Sequence, residues 1–127
     1  MTDPTVPTAV GQVALQIRDV DASIAFYRDL LGLEHFGTWN DLVFFKTGET
    51  RLFCTKVEAD RWKPMSVVYF AVADLDGAIE RLKQADVAVT TFPAPLHTHD
   101  DGTEEWMAFF NDPAGNTLAY MTTRQSS

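Results

Sequence analysis

The chain of 127 residues has a single cysteine, Cys54, so no disulfide can form within it and its folding needs no oxidising compartment. No stretch approaches the ~20 consecutive apolar residues of a membrane-spanning helix. Basic side chains are scarce: ten Lys and Arg stand against eighteen Asp and Glu, a formal charge of −8. Such a field repels phosphate backbones and anionic lipid, so neither nucleic acid nor a membrane surface is an expected partner. Also missing are a phosphate-binding glycine loop, a Cys/His zinc spacing and a nucleophile elbow. The opening MTDPTVPTAV has neither the basic segment nor the apolar run of a secretory signal, and a cytoplasmic protein is the expectation. The apolar fraction of 46% is that of an ordinary globular domain, with enough mass to bury a core without staples.

What the chain does have is order. In "GQVALQI" Val13, Leu15 and Ile17 alternate with Gln12, Ala14 and Gln16, the pattern of a strand with one buried face. The period then changes in "RDVDASIAFYRDLLGL". Asp21 or Ser23 is the expected cap, Ile24, Tyr27, Leu30 and Leu31 recur at helical spacing, and Gly32 is the expected stop. Strands are expected at 34–39, "LVFFKT" and "RLFCTKV", the last two joined by a tight turn at Gly48.

The second half repeats that order. "VVYFAVADLDGAIERLKQADV" reads as a strand, an Asp-rich turn and a helix with Leu75, Ile79 and Leu82 on one side. Laid 55 positions apart, Gln12 falls on Val67, Asp19 on Asp74, Asp21 on Asp76 and Ile24 on Ile79. Strand-like "VAVTTF", "EWMAFF" and "TLAYMTT" follow, separated by a proline-rich loop and the turn "NDPAGN". The chain therefore reads as two βαβββ modules, 11–57 and 66–123, with a linker at 58–65. The fold class is α+β. Each module would bury only one face of its sheet, which leaves the other faces to line a ligand cleft.

"QVALQIRDVDASIAFYRDLLGLE", "YFAVADLDGAIERLKQADVAV" and "FFNDPAGNTLAYM" together resemble the vicinal oxygen chelate superfamily, which contains glyoxalase I, extradiol dioxygenases, epimerases and bleomycin-binding proteins. The likeness runs through nearly the whole chain and implies one glyoxalase-like domain over 1–127, with a cupped mixed sheet. It also implies a homodimer, since members often complete their clefts across a two-fold interface. Enzymes of this family typically hold a divalent metal with one side chain from each of four sheet positions. Those positions fall here on Gln12, Phe53, Val67 and Ala119. Three of the four have no lone pair to offer a hard cation, so no cofactor is expected at the family's positions.

Positions in phase with those four should face the cleft: Gln12, Ala14 and Gln16; Arg51, Phe53 and Thr55; Val67, Tyr69 and Ala71; Thr117, Ala119 and Met121. The resemblance adds Met107 and Phe109. Such a lining suits a small, flat or apolar organic ligand, oriented by Gln12, Arg51 or Tyr69; the bland alternative is that this face is filled core.

The most chemically suggestive stretch is "HTHDDGTEEW", from His97 to Trp106. His97 and His99, two apart, would share one side of an extended segment and could act with Glu105, whose phase matches Met107 and Phe109. Prolines before it and D-D-G within it favour a polar loop at the rim of the cleft over a metal clamp. Cys54 reads as a small buried hydrophobe, His35 has no evident chemical neighbour, and Trp39, Trp62 and Trp106 are too scattered for a stacking stripe. The leading expectation is a binding protein that holds its ligand without metal. The alternatives are a lyase or isomerase using His, Glu or Tyr acid–base chemistry, and a divalent-metal enzyme with a displaced site at 97–105.

Overall fold

A computed structural model describes residues 4, 5 and 7–125. The chain divides into two compact units, Met1–Lys63 and Pro64–Ser127. The first contains β1 (Gln12–Ile17), α1 (Val20–Ile24) with a π-helical continuation Ala25–Leu30, β2 (Glu34–Trp39), β3 (Leu42–Thr47) and β4 (Thr50–Lys56). The second contains β5 (Val68–Ala71), α2 (Leu75–Gln84), β6 (His97–Thr98), β7 (Thr103–Asn111) and β8 (Thr117–Gln125). The sheets have the same topology: β1-β4-β3-β2 in one and β5-β8-β7-β6 in the other. In each, the first strand pairs in parallel with the last, and the remaining pairs are antiparallel. These are the two βαβββ modules that the repeat predicts.

The repeat also survives at the level of register. Ala14 is the partner of Phe53 in the first sheet, and Tyr69, 55 positions after Ala14, is the partner of Ala119 in the second. The helix caps match in the same way. Asp19 and Asp74 are extended and accept a hydrogen bond from the backbone N–H of Ala22 and of Gly77, at 2.8 and 3.0 Å. The expected cap at Asp21 or Ser23 is thereby corrected. Asp21 lies in the first turn beside the positive end of the helix dipole, and Ser23 is buried inside the helix.

In the first unit Leu15, Ile17, Val43, Phe45, Leu52 and Cys54 turn one face of the sheet inward, and Phe26 and Tyr27 are buried with them. The π-helical turn, closed by the Leu31 N–H donating to the Phe26 carbonyl at 2.9 Å, places those two adjacent rings edge to face at 5.2 Å. Tyr27 lies 5.3 Å from Phe45. Gly32, at a φ of +82°, supplies the left-handed residue that ends the helix. In the second unit the core is Phe70, Leu75, Leu82, Ala108, Phe110, Leu118 and Tyr120.

Two expectations along the second unit need correction. "VAVTTF" alternates like a strand but forms only one bridge, Thr90 with Phe109, while β6 pairs with β7 further along, at Glu104 and Glu105. "HTHDDGTEEW" is not an open loop. His97 and Thr98 pair with Glu105 and Glu104, and His99 to Gly102 close a tight hairpin into β7. Asp101 fixes that turn, its carboxylate accepting from the Thr103 N–H at 2.9 Å and hydroxyl at 2.7 Å. These bonds hold the Asp101 carboxyl below the usual carboxylate range.

Candidate functional site

The helix-free face of each sheet carries the residues that phase placed there. On the first, cross-strand pairing orders them in rows: Gln12, Arg51, Lys46 and Glu34; then Ala14, Phe53, Phe44 and Gly37; then Gln16, Thr55, Leu42 and Trp39. The middle row is aromatic. Phe44 and Phe53 are stacked with centroids 4.9 Å apart and planes 29° apart. Trp39 meets Phe44 edge to face at 5.5 Å, and Phe36 completes the patch at 6.3 Å from Trp39. Phe36 and Trp39 are 48% and 54% exposed, a costly way to leave large apolar rings unless something covers them.

Local sequence explains this patch. A β-bulge between His35 and Gly37 shifts the strand's parity. His35 then points to the core side, 5.6 Å from the Phe45 ring, with Nε2 at 2.7 Å from the Thr38 hydroxyl. The Trp39 indole folds back over Gly37, so closely that a methyl group there would overlap the ring. Phe36, Trp39, Phe44 and Lys46 are candidate site residues that the sequence reading does not single out. The signal was the alternation within "LVFFKT", where Leu42, Phe44 and Lys46 are out of phase with buried Val43 and Phe45.

Two cations border the aromatic rings. The Arg51 guanidinium lies 5.9 Å from the Phe44 ring centroid, and the Lys46 ammonium lies 5.9 Å from that of Phe36. Gln12 is exposed beside Arg51, and Thr55 is half-buried. Gln16 anchors the segment that follows β4. Its side-chain carbonyl accepts from the Lys63 N–H at 3.0 Å, and its backbone carbonyl accepts from the Trp62 indole, also at 3.0 Å.

On the second sheet the row Tyr69, Ala119 and Phe109 is followed by Ala71, Met121 and Met107, then by Thr123, Glu105 and His97. Tyr69 and Phe109 flank Ala119 and meet edge to face at 5.8 Å, which leaves Ala119 fully buried. Phe92 meets Phe109 at 6.0 Å. Val67 precedes β5 and is 36% exposed, and Met107 and Met121 are half-buried. Where β5 ends, Ala71, Val72, Ala73, Met121, Thr122 and Thr123 line an open groove of about 370 Å³.

The His97 and His99 rings sit edge to face at 4.6 Å, on one side as their spacing predicts. His99 Nε2 lies 3.4 Å from Glu105 Oε2, a long contact. Glu105 Oε1 is buried without a hydrogen-bond partner among the described residues. Glu104 points to the other face, where it accepts from the Trp106 indole at 3.1 Å. The two glutamates are therefore not a pair.

The four positions at which the family holds a metal do not fit a divalent cation. Gln12 is paired across strands with Arg51, Phe53 is stacked on Phe44, Val67 is aliphatic and Ala119 lies between two rings. Among the described residues no group of three or more His, Cys, Asp or Glu side chains is arranged to hold an ion. No helix among them is long and apolar enough to cross a membrane.

Comparison with known proteins agrees with this architecture. Among solved structures, the fold is similar to a protein assigned to the glyoxalase family from Bacillus anthracis, with a TM-score of 0.77 at 17% identity, covering 96% of this chain and 100% of that one. It is also similar to lactoylglutathione lyase from Agrobacterium tumefaciens, with a TM-score of 0.73 at 25% identity over 92% and 95% of the two chains. A third similar structure is an antibiotic-binding protein from Streptomyces, with a TM-score of 0.69 at 15% identity over 94% and 99%. No curated protein matches the chain. A family model covers residues 9–120, and the chain belongs to the Glyoxalase/Bleomycin resistance protein/Dioxygenase superfamily.

Proposed function

We propose that this protein binds a small organic molecule without using a metal. The observation that carries this reading is the aromatic patch of the first unit. Phe36, Trp39, Phe44 and Phe53 present ring faces and edges outward from a rigid sheet, which is how a protein holds a flat ligand at low entropic cost. The family supports it, since one member of this fold is an antibiotic-binding protein. The chemistry of Phe53, Val67 and Ala119 supports the metal-free part. A homodimer, implied by the family resemblance, belongs to the same proposal, and sedimentation velocity tests it.

The deciding experiment is a thermal-shift screen of small aromatic compounds on tag-free protein, with and without chelator, followed by mass analysis of each recovered binder. Binders recovered unchanged, with chelator making no difference, are expected. Near-stoichiometric metal required for binding overturns the proposal.

A second reading, proton transfer, is favoured by one specific observation. Glu105 keeps one carboxylate oxygen buried without a partner among the described residues and sets the other beside His99. Such a pair is suited to take a proton from a substrate and pass it on. Chemical change in a recovered ligand, lost in Glu105→Gln, is the result that favours this reading over simple binding.

A further inference from the structure

We infer that the ligand of the first unit is a planar aromatic carboxylate, its ring against Phe53 above Ala14 and its carboxylate on Arg51. This rests on the binding reading above and adds to it the charge and the seat of the ligand.

Charge points to an anion. The chain carries ten Lys and Arg against eighteen Asp and Glu, so a cation without a carboxylate partner is not for want of candidates. Ion pairs do form elsewhere, between Arg28 and Asp29 at 2.8 Å and between Arg124 and Asp76 at 3.0 Å. Arg51 and Lys46, neighbours across β4 and β3, have no carboxylate within ion-pair distance among the described residues, and each stands over an aromatic ring instead. Acidic groups on adjoining positions are Glu34, the β2 partner of Lys46, and Glu49 in the β3–β4 turn. Both lie on the Lys46 side or at the turn, while the β1 partner of Arg51 is the neutral, exposed Gln12.

Space points to Ala14. In the aromatic row, one side of Phe53 is taken by Phe44. On the other side its cross-strand partner is Ala14, which is exposed and carries only a methyl group. A ring laid there continues the stack by one member. The adjacent row on the same face, Gln12 and Arg51, lies two residues along the strands, about 7 Å away, where a ring carboxylate projects. Arginine is the suitable residue, since its planar fork takes both carboxylate oxygens while remaining stacked on an aromatic face. Gln12 adds an amide donor to the same group.

Fluorescence or calorimetric titration with 2-naphthoate and its uncharged counterpart 2-naphthamide tests this, on the wild-type chain and on Arg51→Gln and Phe53→Ala. Naphthoate is expected to bind at least tenfold more tightly than the amide. Arg51→Gln should bring naphthoate to the affinity of the amide and leave the amide unchanged, while Phe53→Ala weakens both by a similar factor. Equal affinity of the two probes for wild type, or a preference that survives Arg51→Gln, overturns the anionic assignment and leaves the binding reading intact. If neither probe binds wild type at millimolar concentration, the aromatic patch is not a ligand seat, and both fall.

Discussion

Asp112 holds Asn116 through both ends of its carboxylate. Oδ1 accepts from the backbone N–H groups of Ala114, Gly115 and Asn116 at 2.8 to 3.0 Å, and Oδ2 accepts from the Asn116 side-chain amide at 2.9 Å. Both residues are buried, so D-P-A-G-N is a turn built around one carboxylate, and its work is to join β7 to β8 in register. Asp112→Ala removes the side-chain acceptor of three buried donors, the Ala114 and Asn116 N–H groups and the Asn116 amide, while the Gly115 N–H keeps the residue 112 backbone carbonyl at 3.0 Å. The expected cost is about 3 kcal/mol, lowering the melting temperature by on the order of 10 °C. Asp112→Asn should recover part of this, because its side-chain carbonyl can still serve the backbone donors. Scanning calorimetry of both variants checks the order.

The motif's legibility in sequence is of a particular kind. Its residues marked the family and the closing strand, yet nothing in the string distinguishes a turn carboxylate from a chemical one; burial and partners do. Alternation exposed β1 for a similar reason: Leu15 and Ile17 are fully buried, while Gln12 and Ala14 are open to solvent. Where an element depends on a remote partner, the string fails. "VAVTTF" has strand chemistry but only Thr90 finds an edge to pair with, whereas the two-residue strand at His97 exists because Glu105 and Glu104 are there to receive it. The cap at Asp19 was obscured by the second aspartate of D-x-D, since either could cap until the backbone direction is known. Of the candidate site, Arg51, Phe53 and Tyr69 follow from alternation counted from the positions that the family resemblance supplies. Trp39 did not, because its place beside Phe44 depends on a bulge and on the open space over Gly37.

Alkaline stability should depend on Tyr120. Burial pushes its phenol above the ordinary value, partly opposed by the positive charge of Arg81. The unfolded chain releases this proton near roughly pH 10, whereas the folded protein retains it to higher pH. Above that point the folded state binds more protons than the unfolded one, so stability falls as pH rises; below it the contribution is whole. The effect of one such group is at most about 1.4 kcal/mol per pH unit. Tyr120→Phe keeps the ring that packs 4.8 Å from Phe110 and removes the titration. Denaturation midpoints between pH 9 and 11 should decline less steeply for the variant than for wild type, with little difference at pH 7. Identical slopes would mean that the phenol ionises freely in the fold.

Glu105 is the residue at which stability and function should part. Its side chain is only 22% exposed; among the described residues Oε1 is buried without a partner, and the contact of Oε2 with His99 is a long 3.4 Å. An unsatisfied buried carboxylate oxygen carries a penalty of about 1–3 kcal/mol, more than an exposed His–Glu contact returns. Glu105→Leu, in a row between Thr123 and His97 and beside Met107, should therefore raise the unfolding free energy by about 1 kcal/mol. A polar group kept at such a cost is the mark of a side chain that meets a ligand or a substrate. The same variant should then lose whatever binding or turnover depends on the second sheet, with binding of aromatic probes to the first unit unaltered. A fall in stability on Glu105→Leu would instead make this carboxylate a structural anchor of the hairpin, and the proton-transfer reading would lose its only support.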